Sequence, residues 1–160
     1  MHDMKDDDRA RSCAARGAAP VGLLADLDAA EALAVLCLRL WFDGARGREE
    51  LAQTFSRGLG QEGAARALYA FADLLEICAS YGRRPIMHHK VACRCLGADE
   101  ACLANFLMSA AEGDREDAML LATLMVRADA APMLAEAGCA VGAILRRLAL
   151  HATPAPATLH

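Results

Sequence analysis

Two adjacent histidines, His88 and His89, stand just before a Cys-x-Cys pair, Cys93 and Cys95, and a third cysteine, Cys102, follows. Three thiolates and an imidazole within one short stretch are soft donors. They select zinc or an iron–sulfur cluster over magnesium or calcium. Four cations, Arg83, Arg84, Lys90 and Arg94, share the stretch, and no acid occurs from Ile77 to Ala98. Positive neighbours favour the thiolate form of cysteine and so suit a metal–thiolate site.

The same residues support other chemistry. Cys95 precedes an expected helix start and Cys102 lies about one turn inside it, so a Cys95–Cys102 or Cys93–Cys102 disulfide could act as a redox switch. Arg83, Arg84, Lys90 and Arg94, with the two histidines, form a basic surface for a carboxylate-rich protein, a phosphate or RNA. No aromatic follows Tyr81 in the stretch, which argues against base stacking and hence against nucleic acid. In the plainest alternative the cysteines are small packed residues, the cations are solvated, and Pro85, Ile86 and Met87 pin the loop. The Cys-x-Cys-x6-Cys spacing resembles the Cys-x-Cys-x4-Cys run of post-SET zinc motifs over three residues. Its gap is two residues longer and no flanking catalytic domain is present, so the resemblance implies no function.

Enzymatic signatures are missing from the sequence. It has no G-x-S-x-G, Walker loop, dinucleotide fingerprint or H-E-x-x-H. A Cys–His nucleophile pair lacks an orienting acid at recognisable spacing. Glu112, Asp114, Glu116 and Asp117 read as the end and start of two helices.

Helices must position this stretch. The chain has 160 residues, 56% of them hydrophobic but only 4% aromatic, with a net charge of −4. That length supports one domain with a real core. A core of Ala and Leu with few rings and few β-branched residues favours closely packed helices. The expectation is an all-α domain of about five or six helices in an irregular bundle, over residues 21–150. Residues 1–20 read as a disordered tail and residues 151–160 as a flexible one. Expected helices run from Asp28 to Asp43, Arg48 to Arg57, Gln61 to Ser80, Ala98 to Glu112, Arg115 to Ala128 and Ala131 to Leu150. The first has Asp28 and Glu31 as a capping box, carries a single charge, Arg39, in an otherwise apolar run, and reads as central. Residues 51–68 echo a helix-turn-helix, but the turn is too long and the second segment has too few cations to read DNA.

In the last helix Ala135, Gly138, Cys139 and Gly142 form a face of small residues. Glycines inside a helix cost about 0.5–1 kcal/mol each, so close packing within the chain or across a homodimer should offset them. No run reaches the roughly 18 apolar residues of a membrane span, and the charged N-terminal residues do not resemble a signal peptide. Seven cysteines, an odd number, then suit a cytoplasmic protein with free thiols, and the Ala-, Arg- and Gly-rich usage suits a bacterial source. The expected function is a small non-enzymatic regulatory or adaptor protein whose Cys/His loop binds zinc or an iron–sulfur cluster. The alternative is a metal-free helical module that binds proteins or dimerises through its last helix. A cysteine-based switch or enzyme is third.

Overall fold

The computed structural model describes residues 15–152. Along these the order is strand β1 (Pro20–Leu23), helix α1 (Ala29–Phe42), helix α2 (Gly44–Tyr81), strand β2 (Cys95–Gly97), and helices α3 (Ala98–Glu112), α4 (Arg115–Met125) and α5 (Ala131–Ala152). Short 3-10 turns precede α1 and α5. The all-α expectation holds, with one small addition: β1 and β2 pair antiparallel, Leu23 opposite Cys95 and Pro20 opposite Gly97.

Local chemistry explains the boundaries. Asp28 accepts from the Glu31 amide at 2.9 Å and Glu31 accepts from the Asp28 amide at 3.1 Å, a reciprocal capping box that starts α1. Gly44 takes a positive φ of 79° and turns the chain directly into α2, four residues before the expected Arg48. At Gly60 the backbone reaches φ 72°, ψ 176°, a region open essentially to glycine alone, and α2 breaks there into two helical halves. Gly58, also expected to end a helix, stays helical beneath Leu148. Gly113 adopts the left-handed conformation that closes α3, and the Asp114 carboxylate accepts from the Asp117 amide to start α4. Helix α4 stops at Met125, three residues short of the expected end.

Helix α5 lies at the centre and packs on all four other helices; α3 packs on α1, α4 and α5, and α1 packs on α2, α3 and α5. The fully buried side chains include Phe55, Phe71, Phe106, Leu38, Leu51, Leu74, Leu103 and Leu145. Burying each such side chain contributes about 1.5–3 kcal/mol. Trp41 is half-buried: its ring meets Phe71 edge-on at 5.8 Å, and Arg48 lies over it at 5.0 Å.

The small-residue face of α5 works inside the chain. A Cβ at Gly138 would strike the Phe106 ring, and one at Gly142 would strike the Leu107 carbonyl. Both glycines are buried against α3, Ala135 is half-buried and Cys139 is exposed. The stripe therefore divides between packing and solvent, and its two glycines are not available as a dimer face. No helix among the described residues is long and apolar enough to cross a membrane.

The tail expectation needs a correction at its inner end. The Ala19 carbonyl accepts from the Ala98 amide at 3.0 Å, and Pro20 is in the sheet, so the chain is already bound to the fold here. Composition misleads here because the Ala18 and Ala19 carbonyls, which accept from His89 and Ala98, leave no mark in side-chain type. His151 likewise belongs to α5. Residues 1–14 and 153–160, including Cys13 and His160, lie outside the described residues.

Candidate functional site

The stretch from Gly82 to Leu96 is built around one arginine that arrives from elsewhere in the chain. Arg39 projects from α1, 1% exposed, and meets Glu100 from the first turn of α3, 0% exposed. Nε donates to Oε1 at 2.7 Å and Nη2 to Oε2 at 2.8 Å, a bidentate pair. Arg39 also donates to three loop carbonyls: Cys93 at 2.6 Å, Cys95 at 2.7 Å and Lys90 at 3.2 Å. A guanidinium has five N–H donors, and these five bonds occupy them.

Glu100 is equally satisfied. Besides Arg39 it accepts from the His89 amide at 2.9 Å and the Gly97 amide at 2.8 Å. Burial pushes its carboxyl up. The hydrogen bonds from Arg39, Gly97 and His89, with the Arg39 charge, outweigh burial and hold it below the ordinary value. The loop from His89 to Gly97 is thus hung by its backbone on a closed, fully paired ionic cell.

Asp99 does the same for the first half of the loop. It accepts from both Arg84 guanidinium nitrogens, at 2.5 and 2.7 Å, and from the Met87 amide at 2.8 Å. Arg83 ties the loop's start to the end of α4, Nε donating to the Thr123 carbonyl at 2.7 Å and its amide to Met125 at 3.1 Å. The loop has no acid of its own because the two that hold it lie just beyond its end.

The expected metal ligands are not brought together. Among the described residues, no group of three or more His, Cys, Asp or Glu side chains is placed to hold a metal ion. The His88 ring stacks on Phe42, centroids 4.8 Å apart and 9° from parallel. His89 turns the other way, and Nε2–H donates to the Ala18 carbonyl at 2.9 Å. Cys93 and Cys95 give their carbonyls to Arg39, and Cys95 lies in β2. Cys102, on α3, lines a cavity of about 210 Å³ with Arg84, Asp99 and Leu124. The physical reason is that backbone demand, not side-chain affinity, sets the loop's path.

Three of the thiols, Cys37, Cys78 and Cys102, are poorly suited to nucleophilic work. All six described cysteines are free. Burial pushes Cys37 up to about 12. Cys78 rises to about 12, by burial first and then by Cys102. Cys102 is raised by burial and by Asp99, partly offset by Arg84. Protonated thiols are weak nucleophiles and weak metal ligands.

The basic surface also separates into parts. Arg84 is committed to Asp99. Lys90 and Arg94 are exposed, and among the described residues they have no carboxylate partner; Arg83 is exposed and bonds only to carbonyl oxygen.

Arg39 stands out in the sequence as the lone charge of an apolar helix, but neither it nor Glu100 was expected at the site. A single charge in an apolar helix must either reach water or meet a buried partner. Which acid it meets, 61 residues away, has no local signature. Comparison with protein-family models, with curated proteins and with solved structures finds no match to this chain.

Proposed function

We propose that this protein is a small non-enzymatic interaction module of the regulatory or adaptor kind, which binds a protein partner without a metal. The observation that carries this reading is the Arg39–Glu100 cell. It commits the loop's polar groups to internal bonds and holds the loop rigid, leaving cationic and apolar side chains on its outer side. Ordered loops carried on a rigid scaffold are where binding function concentrates. The raised pKa values of Cys37, Cys78 and Cys102 speak for packing over redox or covalent chemistry. Six free thiols suit a reducing, cytoplasmic setting.

The zinc or iron–sulfur reading competes directly, and one experiment separates the two. The full chain, purified without a metal-chelating tag, is subjected to elemental analysis. It is then photo-crosslinked in extract, and the captured partner is purified and titrated against the chain with and without chelator. The module reading expects a stoichiometric complex indifferent to chelator and a metal content far below one per chain. A metal at one per chain whose removal abolishes the complex would overturn it.

A further inference from the structure

Three depressions lie next to one another along the loop, each sharing wall residues with the next. The first is the 210 Å³ cavity beside Cys102, rimmed by Leu124 and Met125. It shares Arg84 and Ile86 with a second of about 280 Å³, walled by Leu75, Cys78 and Phe42. The second shares Phe42 with a third of about 210 Å³ that contains His88, Lys90 and Asp43. Together they line a path from the end of α4 across the loop to the end of α1, which we treat as one groove. Its apolar rim is unusually bare: Leu124 is 67% and Phe42 47% exposed, and Leu120, one turn before Leu124 on α4, is 65% exposed.

We propose that this groove takes a segment of a partner protein that carries two large apolar side chains flanked by carboxylates. The inference rests on the interaction-module reading and deepens it. Each depression is smaller than the roughly 300–1,000 Å³ of a typical small-molecule site, and together they form a line. That geometry suits a peptide inserting successive anchors, as helices and extended segments do. The apolar anchors meet Leu124, Ile86 and Phe42.

Charge selects the flanks. Lys90 lines the third depression, and the exposed Arg83 bonds to the carbonyl of Thr123, the neighbour of Leu124, outside the first. Neither pairs with a carboxylate among the described residues. The acids that face the groove are Asp99, already paired with Arg84, and Asp43, which faces Lys90. The chain as a whole carries −4, so this cationic margin opposes the overall charge and would favour an acidic segment locally.

The test is panning of random 12-residue peptides on phage against the full chain. A selected peptide, labelled with fluorescein, is then titrated by anisotropy. Enriched sequences should pair Leu, Ile or Phe with Asp and Glu. L124E should weaken the labelled peptide about tenfold or more, as loss of an anchor contact does. K90E should weaken it several-fold and remove most of its salt dependence. Both positions are exposed, so the variants should keep the wild-type circular dichroism and melting temperature. Enrichment of neutral or basic sequences, or binding indifferent to both substitutions, overturns the groove assignment while leaving the module reading intact. Self-association abolished by L124E overturns it too, because the groove's occupant is then a second copy of the chain. Failure to enrich any peptide counts against the groove and the module reading together.

Discussion

Arg39 and Glu100 hold each other through two hydrogen bonds of 2.7 and 2.8 Å, 61 residues apart in sequence and both shut off from water. Neither is a surface ion pair that water could replace. Removing one partner strands the other charge in the core, which costs about 3–5 kcal/mol. R39M and E100L should each lower stability by about that amount in urea denaturation. The double variant should lose less than the sum, since no lone charge remains. It should still be destabilised, because the Lys90, Cys93 and Cys95 carbonyls lose their donor. Hydrogen exchange should speed at the His89 and Gly97 amides in all three, and uniform protection there would contradict the anchoring role.

The same pair sets an acid limit. The Glu100 carboxyl is held below its ordinary value of 4.5. A depressed carboxylate stabilises the fold above its unfolded pKa, and that contribution disappears as pH falls through the folded value. The contribution of Glu100 should therefore be constant from pH 7 to about 5 and decline as pH falls below that ordinary value. E100Q should be less stable at neutral pH, approach the wild type as pH falls, and so show a shallower acid limb. Parallel limbs for the two proteins would place the acid sensitivity elsewhere.

Two glycines should fail for different reasons. In G142A the new methyl meets the Leu107 carbonyl, a backbone atom that cannot rotate away. Overpacking of this kind costs about 1–3 kcal/mol. In G60A nothing lies within 4 Å, and the cost comes from the φ of 72° and ψ of 176°. That strain also costs about 1–3 kcal/mol. The exposed C139A should be neutral within about 0.5 kcal/mol. Chemical denaturation of the three variants checks the contrast, and a stable G142A would mean that α3 and α5 separate more easily than their packing implies.

Thiol reactivity should follow burial. Iodoacetamide at pH 8, with mass mapping of the native protein, should modify the exposed Cys139 first among the described cysteines. Cys37 and Cys78, pushed up to about 12, should stay unmodified until the chain unfolds. Rapid labelling of Cys78 would show that the end of α2 opens locally.

Much of the scaffold was legible because its signals are local. Asp28 and Glu31 lie three apart and cap one another wherever the helix goes, and Gly113 ends α3 by a conformation that glycine alone adopts cheaply. The β1–β2 pair was not legible: a three-residue strand has no usable period, and its partner lies more than 70 residues away. The candidate site was legible in place but not in kind. Spacing marked Tyr81–Cys102 as the unusual connection, yet ligand-like residue types said nothing about which way the side chains turn.

The sequence by itself determined the helical class, the helix limits near their caps, and the position of the acid-free loop, because propensity, capping and apolar period act over a few residues. The tertiary structure decided how the loop is held. Only folding brings Arg39 against Glu100, turns the His88 and His89 rings apart onto Phe42 and Ala18, and sets Leu124, Ile86 and Phe42 along one groove. A buried charge must find its partner wherever the chain places one, and the backbone of the loop follows that pair rather than the chemistry of its own cysteines and histidines.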